Sequence, residues 1–115
     1  MRYKFRVWNE ELEEMYTISK EKYLGSTGIV DPYVGHEKAV WMQFTGLTDK
    51  NGKEIYEGDI ITTDIDSIKG TLIYRYGCFQ VKYGHEKYKS LINISYPEVI
   101  GNIYQHKHLL KENEQ

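Results

Sequence analysis

The feature that most constrains the fold of this chain is how often its apolar, β-branched and aromatic runs are broken. Runs such as Val40 to Phe44, Ile60 to Thr63, Thr71 to Tyr76 and Cys78 to Tyr83 are short, and a glycine or an aspartate stands within two residues after each of them. Such runs, recurring about every ten residues with turn signals between them, predict short strands joined by reversals. Roughly seven strands at that spacing predict a mainly β fold, a small antiparallel barrel or sandwich, and not βαβ units.

Along the chain the first strand has the clearest period of two. Tyr3, Phe5 and Val7 fall on one face and Arg2, Lys4 and Arg6 on the other, ahead of Trp8, which reads as a half-buried strand with a basic outer stripe. The acidic stretch from Asn9 to Glu14 leads to Met15, Tyr16, Thr17 and Ile18, so the two flanks are expected to pair as a hairpin; a short helix over Glu10 to Met15 is the competing reading. Gly25, Gly28, Pro32 and Gly35 make Ser19 to Lys38 a long excursion, with room for one short edge strand.

Val40, Met42 and Phe44 then alternate with Trp41, Gln43 and Thr45, and Gly46 is expected to end that strand. Asp49 to Gly52 supplies turn chemistry, and Ile55 to Asp59 a second compact turn leading into Ile60 to Thr63. Gly70, the tip at Gly77 and the flanking β-formers resemble the meander of SH3-like barrels. Pro97 precedes a last strand from Val99 to Tyr104, and Leu109 with Leu110 predicts a C-terminal helical turn before a frayed tail, 111 to 115.

At 115 residues one domain is expected, large enough to bury a core without metal or disulfide staples. The net charge of −2 provides no global positive field, so nucleic acid or anionic lipid could be held only by a local patch. Cys78 is the single cysteine; with no pairing partner it suits a reducing cytoplasm, and it is expected to be a small buried residue at a strand start. The opening residues lack the continuous apolar run of a secretory signal, and no segment approaches the roughly 20 apolar residues of a membrane span. The expected location is the cytoplasm.

Glu54, Glu57 and Asp59 match no calcium loop, and Asp59 is expected to cap its turn through backbone N–H groups. His106 and His108 lack a third ligand nearby. No nucleophile elbow and no phosphate-binding loop occurs, so neither enzyme activity, cofactor nor metal is expected, an uncharacterised enzyme whose groups the fold assembles being the second alternative to the readings below. What stands out is 11 Tyr and 2 Trp, more than one core holds comfortably with every hydroxyl satisfied. Some are expected to line a surface that meets a partner, with Tyr3, Trp8, Tyr56 and Tyr104 as candidate protein contacts. The alternative is a nucleic-acid strip in which cations interleave with aromatics, built from Arg2, Lys4, Arg6, Lys82, Lys87, Tyr88 and Lys89.

Three segments together resemble a known family. Phe5-Arg6-Val7-Trp8, the long stretch from Met42-Gln43-Phe44-Thr45-Gly46-Leu47-Thr48-Asp49 through Lys50-Asn51-Gly52-Lys53-Glu54-Ile55-Tyr56-Glu57-Gly58-Asp59-Ile60, and Glu98-Val99-Ile100-Gly101-Asn102-Ile103-Tyr104 are similar to YopX-type proteins of phages and prophages. The resemblance implies a small phage-associated accessory or regulatory protein, acting as several copies or on a phage or host protein. It carries no catalytic residues over.

Overall fold

The computed structural model describes residues 4–19, 39–65 and 68–111. The expected excursion of Ser19 to Lys38 lies outside these from position 20 on, as do Arg2, Tyr3 and the tail from 112. The chain divides into two compact units between Phe44 and Thr45.

In the first unit, β1 (Lys4–Asn9) pairs antiparallel with β2 (Glu14–Ser19), Val7 opposite Tyr16, and with β3 (Ala39–Thr48), Val7 opposite Trp41. The expected hairpin forms, and a four-residue turn replaces the competing helix. Asn9, only 2% exposed, closes this turn by accepting the N–H groups of Glu11 and Leu12 at 3.0 and 2.9 Å. Burial corrects the expected half-buried strand, because Arg6, Val7 and Trp8 are buried in succession. β1 is an interior strand, and Arg6 of its expected outer stripe is not solvated: the guanidinium donates to Met42 Sδ at 3.4 Å.

β3 continues past Gly46, which takes a φ of +86° within the strand and does not end it. Its last residues belong to the second unit, where Thr45 Oγ1 donates to the Ile55 carbonyl at 2.8 Å. There β4 (Glu54–Tyr56), a strand that narrows the turn expected from Ile55 to Asp59 to its last three residues, completes the sheet order β2-β1-β3-β4.

The second sheet contains β5 (Asp59–Thr63), β6 (Ile68–Arg75), β7 (Cys78–Tyr83), β8 (Lys87–Ser90) and β9 (Glu98–Asn102). Consecutive antiparallel hairpins link β5 to β8, and β9 returns beside β5, for the order β8-β7-β6-β5-β9. This is the predicted SH3-like meander. The chain is mainly β with two antiparallel sheets, one of them a half-barrel. Between β8 and β9 runs a 3-10 turn, Leu91–Asn93, and the C-terminal helical turn is α1 (His108–Lys111).

Strand alternation builds the core of this unit. Ile55, Ile61, Ile68, Leu72, Val81, Leu91, Ile94 and Val99 form one buried cluster, with Phe79 and Tyr83 packed against it. Each such aliphatic side chain contributes about 1.5–3 kcal/mol when fully buried. Ile60 pairs with Gly101 but Ile61 with Val99, so Ile100 is an extra residue in β9 and the ladder bends there.

Candidate interaction surface

Two of the segments that carry the family resemblance, the stretch around Asp49 to Ile60 and Glu98 to Tyr104, meet in the second unit. The Asp49 carboxylate accepts the N–H groups of Asn51 and Lys53 on Oδ1 at 2.9 and 2.8 Å, and that of Val99 on Oδ2 at 2.9 Å. Lys50 N–H donates to the Pro97 carbonyl at 2.9 Å, and Asn51 Nδ2 to Glu98 at 3.2 Å. Asp59 Oδ2 accepts the Tyr56 N–H at 2.8 Å, the turn-capping role expected of it. Asn102 Oδ1 accepts from Tyr104 and Gln105, while its own N–H donates to His106 Nδ1 at 3.1 Å. Asp49, Asp59 and Asn102 are all buried. These polar residues satisfy turn backbone inside the protein and join the middle of the chain to β9; they form a structural joint and present no chemistry to solvent.

The proposed aromatic contacts divide on burial. Trp8 is 7% and Tyr56 5% exposed, which corrects both as surface residues. Trp8 belongs to an interior strand, and Tyr56 ends β4 with its hydroxyl donating to Glu54 at 3.3 Å. Tyr104 is half-buried in the turn held by Asn102, and Tyr3 is outside the described residues. The cationic strip divides as well. Arg6 is buried, and Lys4 is half-buried with its ammonium 5.9 Å from the Phe44 ring centre. Lys82 pairs with Tyr88 on one face of the second sheet, whereas Lys87 and Lys89 pair with Tyr83 and Val81 on the other. A period of two separates residues that sequence proximity had grouped together.

What the structure brings together instead is the end of the sheet where β6 turns into β7. Tyr74 is 53% and Tyr76 86% exposed. Tyr74 packs edge-on against Phe79, ring centres 5.1 Å apart. The Arg75 guanidinium lies 3.8 Å from the Tyr88 ring centre and 4.5 Å from that of Tyr76, two cation–π contacts that hold both rings in place. Ser90 pairs with Gln80, so the chain leaves β8 for the 3-10 turn at this same end; Ile92 in that turn is 79% exposed.

Cys78 also lies here and is exposed, correcting the expectation that it is buried. It opens β7 opposite Arg75, beside the two-residue tip, and strand ends at a tip have little above them. Its Sγ accepts from Gln80 Nε2 at 3.1 Å.

The tip itself is strained. Tyr76 and Gly77 have φ of +53° and +79°, positive at both central positions as in a type I′ turn, where Asn-Gly is strongly preferred. A tyrosine in the left-handed region costs about 1–2 kcal/mol. From Ile68 to Pro97, moreover, Lys69, Arg75, Lys82, Lys87 and Lys89 face the single carboxylate of Glu86, a local excess of four positive charges in a chain of net charge −2. Tyr74, Arg75 and Tyr76 were absent from the sequence-level candidates. The signal available was a cation between two tyrosines immediately before a turn glycine.

Among the described residues no three His, Cys, Asp or Glu side chains are grouped so as to hold a metal ion, and no helix is long and apolar enough to cross a membrane.

Comparison with known proteins adds family and fold. The structure of YopX from Bacillus subtilis is similar with a TM-score of 0.61 at 22% identity, over 96% of this chain and 97% of that one. That of protein EF1440 from Enterococcus faecalis is similar with a TM-score of 0.52 at 24% identity, over 94% and 97%. No curated protein matches the sequence. The family model described as YopX protein matches residues 4–111, across both compact units and all three recognised segments, and the chain belongs to the YopX family.

Proposed function

We propose that this protein is a non-enzymatic, self-assembling protein-binding module whose contact surface is the aromatic end of the β6–β7 hairpin. The observation that carries this reading is Tyr76: a large ring 86% exposed, braced by Arg75, at a turn position that a smaller residue would occupy with less strain. Backbone strain clusters where it serves a function, and exposed rigid aromatics are what protein interfaces bury. The module is proposed to act in the bacterial host cytoplasm as a phage- or prophage-borne accessory or regulatory protein, on further copies of itself and on a phage or host protein. The YopX resemblance supports that placement.

Light scattering behind a size-exclusion column, on the untagged protein, tests the reading. The parent is expected to assemble. Tyr74→Ser and Tyr76→Asn are each expected to weaken assembly at least about tenfold, equivalent to about 1.4 kcal/mol. Asn-Gly suits the tip, so Tyr76→Asn is also expected to unfold at no lower denaturant concentration than the parent. A parent that stays monomeric at about 100 μM, a weak-binding regime, or variants that assemble unchanged, would refute the proposal.

A nucleic-acid reading has one observation in its favour, the cationic excess from Ile68 to Pro97. It requires a single-stranded oligonucleotide to bind in low salt and to be released as salt rises. Absorbance at 260 and 280 nm across the same peak distinguishes it.

A further inference from the structure

The cationic aromatic patch has a counterpart of opposite character in the same chain. At the tip of the β1–β2 hairpin, Glu10, Glu11, Leu12 and Glu13 are all exposed, with Leu12 at 45%. The tip is ordered before any contact is made, because buried Asn9 holds the Glu11 and Leu12 N–H groups and Glu13 takes a φ of +54°. It presents one apolar side chain flanked by carboxylates. On the sheet face that carries Arg75, Tyr88 and Lys82 the patch offers the complement: the Tyr76 and Tyr88 rings held against the Arg75 guanidinium as seats, Lys82 paired with Tyr88, and no carboxylate from Ile68 to His85.

We infer that the occupant of the patch is the β1–β2 hairpin tip of a second copy of this chain. Leu12 packs on the Tyr76 and Tyr88 rings while Glu10 and Glu13 meet Arg75 and Lys82. This inference rests on the self-assembly proposed above and adds its geometry. Each copy gives a tip and receives one: two copies that do so reciprocally close a two-fold pair, and copies that do so head to tail form a closed ring or an open filament. Both surfaces are held by local hydrogen bonds or cation–π contacts, which lowers the ordering cost of association. Opposite charges at the rim add orientation and a salt-sensitive encounter rate.

The test separates the two surfaces. One variant loses the tip, Leu12→Arg, backed by Glu10→Lys with Glu13→Lys in case the first disturbs the turn. A second loses the patch, Tyr76→Asn with Arg75→Glu. Circular dichroism checks that each is folded. Each variant alone is expected to be monomeric by light scattering. An equimolar mixture of tip-deficient and patch-deficient protein retains one intact tip and one intact patch, and is expected to form a species of two copies and no larger. For the parent, raising NaCl from about 50 to about 500 mM is expected to weaken assembly at least about tenfold. A monomeric parent overturns the self-assembly reading and this inference together. A parent that assembles while either variant keeps its mass, or a mixture that stays monomeric, overturns the tip-to-patch contact and leaves self-assembly standing. A peak carrying nucleic acid overturns the choice of occupant.

Discussion

Replacing Gly70 by alanine is expected to destabilise the second unit by about 3 kcal/mol, at the upper end of what overpacking costs. Gly70 lies within β6, paired with Ile61 on one side and Tyr83 on the other. A Cβ added there would stand 2.1 Å from the Lys82 carbonyl oxygen, 2.7 Å from its carbon and 3.0 Å from Tyr83 Cα. All three atoms belong to the main chain of β7, so no rotamer change relieves the overlap. Relief requires β7 to move away from β6, which breaks ladder hydrogen bonds at the centre of the sheet. The opposing gain, an alanine in place of a conformationally free glycine, is only about 0.5–1 kcal/mol. Urea unfolding of Gly70→Ala against the parent measures the difference. A loss below about 1 kcal/mol, the range of ordinary substitutions, would show that β7 can shift at this register and that the close approach is not a constraint.

Asp49→Ala is expected to cost about as much, by a different route. One carboxylate satisfies three backbone N–H groups, and the Val99 N–H it serves is buried. Leaving a buried donor unsatisfied costs about 1–3 kcal/mol, and loss of the two turn bonds adds to it, for roughly 3 kcal/mol in all. Asp49→Asn keeps one acceptor oxygen but turns an amide donor toward a donor, and is expected to lose about half as much.

The same site predicts a pH dependence. Burial by itself pushes the Asp49 carboxyl up, but the hydrogen bonds from Val99, Lys53 and Asn51, with the nearby Lys53 charge, outweigh it and hold the group below its ordinary value of 3.8. A lowered folded-state pKa means that the carboxylate's contribution is fully present above the unfolded value, about 3.8, and is lost as pH falls through the lower folded one. The stability gap between the parent and Asp49→Asn is therefore expected to be constant near neutrality and to close only at pH below 3.8. A gap that closes between pH 5 and 7 would mean that another group carries the effect.

Much of the fold was legible because its causes are local. Thr71 to Tyr83 declared a hairpin through its β-formers and Gly77, and the turn at Asp49 to Gly52 through side chains that bond their own backbone. Asp59 was read as a cap for the same reason, and Leu109 with Leu110 as a final helical turn. Gly46 misled because a positive φ within a strand and one that ends it use the same residue.

The candidate surface was much less legible, since exposure depends on what other strands cover. Trp8 and Tyr56 have the same composition signal as Tyr74 and Tyr76, yet the first pair is buried and the second is not. Arg6 looked like the solvent side of a half-buried strand, but β1 became an interior strand and took the guanidinium inside. Lys82 and Lys87 lie five positions apart, and the register places them on opposite faces.

The sequence by itself determined the strand class, the positions of most turns and the family, because side-chain alternation and turn chemistry act over a few residues. Only the tertiary structure decided which strands are interior, that Asp49 reaches Val99 across half the chain, and that Arg75 is stacked between Tyr76 and Tyr88. Those outcomes depend on pairing between distant segments, whose register and coverage no local pattern encodes.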